Sequence, residues 1–151
     1  MQPLCKLIKG GVEIIQNISV LAMLIPNCIL DLKYKKVTML LILPFMLEGI
    51  ILNVLGLIDF KSSLIGVLCG LIVLVISVVT KGAIGKGDAY IICAMGCLIG
   101  GYYTIVVLTI AMFLSAIVGV VLVMFFRWKT KSRIPFVPFL LLSLVLLLIG
   151  G

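Results

Sequence analysis

Between Ser62 and Val79, and again between Thr104 and Phe126, the chain carries no charged side chain. Runs of this length match the ~20 apolar residues that cross a hydrocarbon core ~30 Å thick as a helix. Four more apolar runs accompany them: Gly11 to Leu30, Val37 to Ile58, Ala89 to Gly101 and Ile134 to Gly151. In lipid, backbone N–H and C=O groups must find partners within the protein, so continuous apolar runs fold as helices. A membrane β-barrel would show ten-residue segments of alternating polarity instead. With 64% hydrophobic residues in 151, the chain reads as an all-α polytopic membrane bundle of about six transmembrane helices. The expected organisation is one membrane-embedded domain over residues 1–151, with no room for a second.

The runs differ in what else they hold. The first follows Lys6 and Lys9 and contains Glu13, Gln16, Asn17 and Asn27. It is too long for the apolar part of a signal peptide, and Pro26-Asn27-Cys28 is no small-residue cleavage site. It therefore reads as an uncleaved helix whose polar residues face the bundle interior. The second has Pro44, which predicts a kink, and Glu48 near its middle. The third has Gly66 and Gly70, a spacing that lets another helix approach closely or that arises by chance in a Gly-rich span. The fourth, at thirteen residues, gives only about 20 Å of helix. Either its helix begins before the preceding glycines, or Asp88 lies below the membrane surface at a thinned or watery site. Ala89, Cys93, Cys97 and Gly100 or Gly101 recur on one face of it. Gly100-Gly101-Tyr102-Tyr103 predicts a turn with interfacial aromatics. Trp128 is an interface anchor, and Pro135 and Pro138 stand near the start of the last helix, where a missing N–H costs least.

The net charge of +7 lies in short loops, which argues for orientation signals and against nucleic acid as a partner. Lys33, Lys35, Lys36, Lys81, Lys86, Arg127, Lys129, Lys131 and Arg133 fall on one side, against Lys6, Lys9 and Lys61 on the other. This asymmetry predicts a multi-pass protein of the cell membrane, with the first, third and fifth loops cytoplasmic and both termini outside. Lys6 and Lys9 weigh against that orientation.

The chemistry is narrowed by what is missing. There is no histidine, and the five cysteines form no Cys-x-x-Cys pair. A zinc centre or disulfide framework is not expected, and acid–base work falls to Asp, Glu, Lys, Tyr or Cys. Of five acids, Asp31 ends the first run and Asp88 begins the fourth, directly after Gly85-Lys86-Gly87. With six spans the two share one face of the membrane whichever way the chain inserts. Two carboxylates brought close share a proton. One then acts as base on a water while the protonated partner polarises a carbonyl, which hydrolyses a peptide without histidine, serine or metal. An Asp at a helix boundary is equally an N-cap or a solvated loop residue, so the residues alone leave both readings open. Glu48 is a functional candidate by its depth, or a structural partner for Asn17 or Asn53.

Gly85-Lys86-Gly87-Asp88, with the small-residue stretch Ala94 to Gly100 behind it, resembles the Gly-x-Gly-Asp signature of type IV prepilin peptidases. Asp31-Leu32-Lys33-Tyr34-Lys35-Lys36 is similar to their first aspartate and its basic loop. Ile134-Pro135-Phe136-Val137-Pro138-Phe139 is similar to an Ile-Pro-Phe-Gly-Pro-Phe element near their end. Three motifs in order over about residues 28 to 140 make the match fairly specific, whereas Gly-x-Gly-Asp alone also occurs in presenilin-like proteases. The resemblance implies an aspartic endopeptidase, a hydrolase of type IV pilus and protein secretion systems. It would cut the basic leader of prepilins or pseudopilins at the cytoplasmic face, with Asp31 and Asp88 catalytic. Gly85, Lys86 and Gly87 would form the active-site loop, with Glu48, Tyr90 and Pro135 as accessory candidates. Departures occur at Val37-Thr38-Met39 (often Ile-Pro-Asn), Tyr90 (usually Lys) and Val137 (Gly), and bear on substrate preference more than on the reaction. Without the cysteine pairs of the bifunctional members, peptidase activity alone is expected, with no cofactor: neither zinc nor S-adenosylmethionine. The competing readings are a small proton-coupled transporter and a non-catalytic subunit of a pilus or secretion assembly.

Overall fold

The computed structural model of the chain describes residues 2–34, 39–80, 85–126 and 135–150. Lys35, Lys36, Val37, Thr38, Lys81, Arg127, Trp128, Lys129, Lys131, Arg133 and Ile134 lie outside the described residues, so the basic loops enter only through Lys33 and Lys86. The described residues form five helices: α1 (Gln2–Tyr34), α2 (Met39–Val54), α3 (Phe60–Val79), α4 (Lys86–Phe126) and α5 (Val137–Gly150). Among the described residues, three segments are long and apolar enough to cross a membrane: Gly10–Tyr34, Phe60–Val79 and Lys86–Leu122. The apolar helices α2 and α5 are shorter, at 16 and 14 residues.

Two boundaries differ from the apolar pattern for local reasons. The second run stops being helical at Val54, four residues early, because Gly56 takes φ 70°. Its N–H donates to Asn53 O (3.0 Å) and that of Leu57 to Leu52 O (3.0 Å), a glycine cap that uses the last free carbonyls. Hydrophobicity continues past the cap, and the helix does not. The fourth and fifth runs are two helices that meet at a kink inside α4. Gly100, at φ 80° and ψ 173°, divides α4 into arms 86–99 and 101–126 in a conformation open essentially to glycine. The Gly101 N–H donates to Ser62 Oγ (3.2 Å) and the Thr104 hydroxyl to Gly100 O (2.7 Å), so the groups freed by the break are used again. Tyr102 and Tyr103 follow it, exposed and edge-to-face with centroids 5.6 Å apart.

The first arm of α4 is the axis of the bundle. Residues 91–98 are all buried, and α1, α2, α3 and α5 all pack against α4. Its small residues Ala89, Cys93, Gly96 and Cys97 let the neighbouring helices come close. The approach of α3 is closest. A Cβ on Gly66 would stand 2.5 Å from Gly96 Cα, and one on Gly70 would stand 2.6 Å from Cys93 N. On the α2 side, a Cβ on Gly49 would stand 2.7 Å from Cys97 Cβ. The Gly66/Gly70 spacing is thus a packing face, seated on the small residues of α4. One polar cluster ties three helices together: Asn53 Nδ2 donates to Ser63 Oγ (3.1 Å) and Cys97 O (3.1 Å).

The polar residues of α1 divide. Gln16 and Asn27 are buried, as an interior-facing stripe requires, and Asn17 is half-buried. Glu13 is instead exposed. With Gln16, Asn17 and Tyr103 it lines a cavity of about 530 Å³.

Candidate active site

Asp31 lies in the last turn of α1 and Asp88 in the first turn of α4. Antiparallel neighbours bring such ends together, and here the start of α5 joins them. Val137, the first residue of α5, donates its N–H to Asp31 Oδ2 at 3.3 Å. Asp31 is 6% exposed, Asp88 7% and Val137 0%. The two carboxylates are near enough for the charge of Asp31 to act on Asp88. Burying one ionised carboxylate is costly and burying two side by side more so. The positive ends of the α4 and α5 dipoles point at the pair and offset part of that cost.

The glycine before Asp88 has a steric purpose. The Asp88 N–H donates to Gly85 O (3.1 Å), folding residues 85–88 into a tight turn. The carboxylate lies back over Gly85, where a Cβ would stand 2.8 Å from Oδ2 and 3.3 Å from Cγ. Gly85→Ala therefore turns the Asp88 carboxylate away from its present direction. We expect ~10- to 100-fold slower peptide cleavage, the scale of an ångström-sized misplacement, with an unchanged melting midpoint. Full activity in that variant would show that the direction of the carboxylate is immaterial.

The other candidates take separate places. Lys86 is exposed and Gly87 half-buried at the start of α4. Tyr90 packs on the core. Pro135 directly precedes Phe136, whose carbonyl accepts the Phe139 and Leu140 N–H groups (3.0 and 3.3 Å) and opens α5. Glu48 accepts a hydrogen bond from the Ser19 hydroxyl at 2.6 Å, not from Asn17 or Asn53. Ser19 is twelve residues before Asp31 on α1, roughly 18 Å along the helix, so Glu48 stands apart from the aspartates. One feature of the site was not anticipated. The Val137 N–H is a main-chain donor and carries no side-chain signal. Asn27, one turn before Asp31, is fully buried and donates to Met23 O (2.9 Å), while its Oδ1 has no partner among the described residues. Its burial agrees with the interior-facing stripe expected of α1.

A profile of the type IV leader peptidase family matches residues 18–120. No curated protein and no solved structure matches the chain. The matched region runs from α1 to the second arm of α4 and takes in Asp31, Glu48, Gly85, Lys86, Gly87, Asp88 and Tyr90; Pro135 and Val137 lie beyond it. It spans more than half of the sequence and includes both buried acids, and the chain belongs to the type IV leader peptidase family.

Proposed function

We propose that the chain is a membrane-embedded aspartic endopeptidase. It removes the short basic leader from type IV prepilin-like or pseudopilin proteins at the cytoplasmic face, using Asp31 and Asp88 as a pair. The observation that supports this reading is the burial of both Asp31 and Asp88 at helix ends, with the start of α5 hydrogen-bonded to Asp31. Acids so deeply buried are rare in membrane helices unless they have work to do.

The pair holds one proton. The ionised member takes a proton from a water as its oxygen attacks the scissile carbonyl carbon. The protonated member gives its proton to the carbonyl oxygen. When the tetrahedral species collapses, the C–N bond breaks as the newly protonated aspartate gives its proton to the amine nitrogen. A hydroxyl of the tetrahedral carbon returns its proton to the other aspartate, and the pair again holds one proton. Peptide hydrolysis is the only reaction assigned, and it needs no metal or cofactor.

In this reading α1, α2, α3, the two arms of α4 and α5 are six crossings, the shorter ones accommodated by a locally thin bilayer. The basic loops hold the aspartate end in the cytoplasm and leave leader and enzyme both basic, so recognition rests on the apolar helix behind the cleavage site. The test is reconstitution in liposomes with a peptide carrying a basic leader, a glycine and then an apolar helix. The expected result is cleavage after the glycine, located by mass spectrometry. If Asp31→Asn cuts at the wild-type rate, the pair is not the active site, and a carrier or assembly-subunit role takes its place.

A further inference from the structure

We propose that the main-chain N–H of Val137 is a positioning group for Asp31, so that the start of α5 completes the active site. The inference rests on the aspartate-pair reading. It brings in a segment that lies outside the region shared with the family profile.

Asp31 stands near the C-terminal end of its own helix, where the partial charge of the backbone is negative and disfavours a carboxylate. An acid kept at 6% exposure there needs support from another element. The N-terminus of α5 supplies it through its positive dipole end and the Val137 N–H. That N–H is the one donor of the first turn not taken by Phe136 O, since Pro138 has none. The Val137 N–H reaches Oδ2 at 3.3 Å. That is long for an N–H···O bond, so its main effect is on direction. The prolines on either side suit this geometry. Pro135 leads the chain into the turn, Phe136 O caps α5, and Pro138 falls in the first turn, where it displaces no helical hydrogen bond. The Val137 side chain is fully buried and fills the core while the backbone makes the contact. The two jobs are therefore separable.

Val137→Pro removes the N–H at the first helical position, where proline is well tolerated. Val137→Ala keeps the N–H and trims the side chain. Replacing the Val137 amide with an ester, by joining a synthetic C-terminal segment, removes the N–H and leaves the side chain intact. On the reconstituted protein, Val137→Pro and the ester variant should lose ~10- to 100-fold in kcat with KM within twofold, as expected for a misplaced catalytic group. Val137→Ala, which keeps the N–H, should lose less in kcat than either variant that lacks it. The proposal is overturned if the variants lacking the N–H keep kcat within twofold, if Val137→Ala loses as much, or if the loss lies in KM alone. Should Val137→Pro not fold, the ester variant decides. Asp31→Asn runs in parallel. If Asp31→Asn is inert while the ester variant keeps full kcat, this inference fails and the pair stands. If Asp31→Asn is fully active, the pair itself fails.

Discussion

Asp88→Asn should slow leader cleavage by ~10³-fold or more while the bundle stays folded. Asn keeps the size of the side chain and removes the titratable proton. A positioned acid or base contributes ~10² to 10⁴ in rate, and members of a unit that acts together lose at the upper end of such a range or beyond it. Folding should not suffer. Asp88 sits over Gly85 in the first turn of α4, and a neutral amide of the same shape fits there. A neutral side chain also relieves the cost of holding two acids in a water-poor site, so the melting midpoint should be unchanged or higher. Initial rates at saturating peptide, read beside a thermal melt of the same preparation, check both parts. A rate within twofold of wild type would remove Asp88 from the chemistry.

The second large effect is on stability. Gly96→Val should lower the stability of the solubilised bundle by ~3 kcal/mol or more, at or above the top of the usual range for overpacking. A Cβ at Gly96 would stand 2.6 Å from Gly66 O and 2.7 Å from Val67 N. Those atoms are backbone and cannot rotate aside, so α3 would have to move off α4 along the seam that also carries Gly70 and Cys93. Gly10 is the control: a Cβ there meets nothing within 4 Å, and Gly10→Ala should change stability by no more than ~0.5 kcal/mol. Equal melting of the two variants would show that the close approach of α3 and α4 does not hold the bundle together.

The aspartates and the small residues of the α3–α4 seam leave marks in residue type, although the glycine spacing fitted chance equally well and named no partner helix. A carboxylate in an apolar run stands out. So do glycines four apart in α3 and the small residues of α4 that receive them. The number of apolar runs gave the helical class, but not the ends of the helices. The second run is apolar to Ile58, yet Gly56 ends its helix by φ and hydrogen bonding. The turn expected at Gly100 falls at that residue, where two helices meet at φ 80° and ψ 173°, and Ser62 and Thr104 take up the groups it frees. Partner choice was harder to read. Glu48 was matched to Asn17 or Asn53 by polarity, whereas rotation of α1 against α2 presents Ser19. Glu13 was grouped with the interior stripe, but it opens on a cavity. The Val137 N–H could not be found by residue type at all, since every non-proline residue has one.

The central claim is that Asp31 and Asp88 act as one unit, and the most direct measurement is the cleavage rate of Asp31→Asn, Asp88→Asn and the double variant in one reconstituted assay. If the two carboxylates share one proton and one task, each single variant already abolishes the mechanism. All three rates should then fall to the same floor, with the double variant no slower than the singles. Two modest losses that multiply in the double variant, or wild-type cleavage by either single variant, would contradict the account.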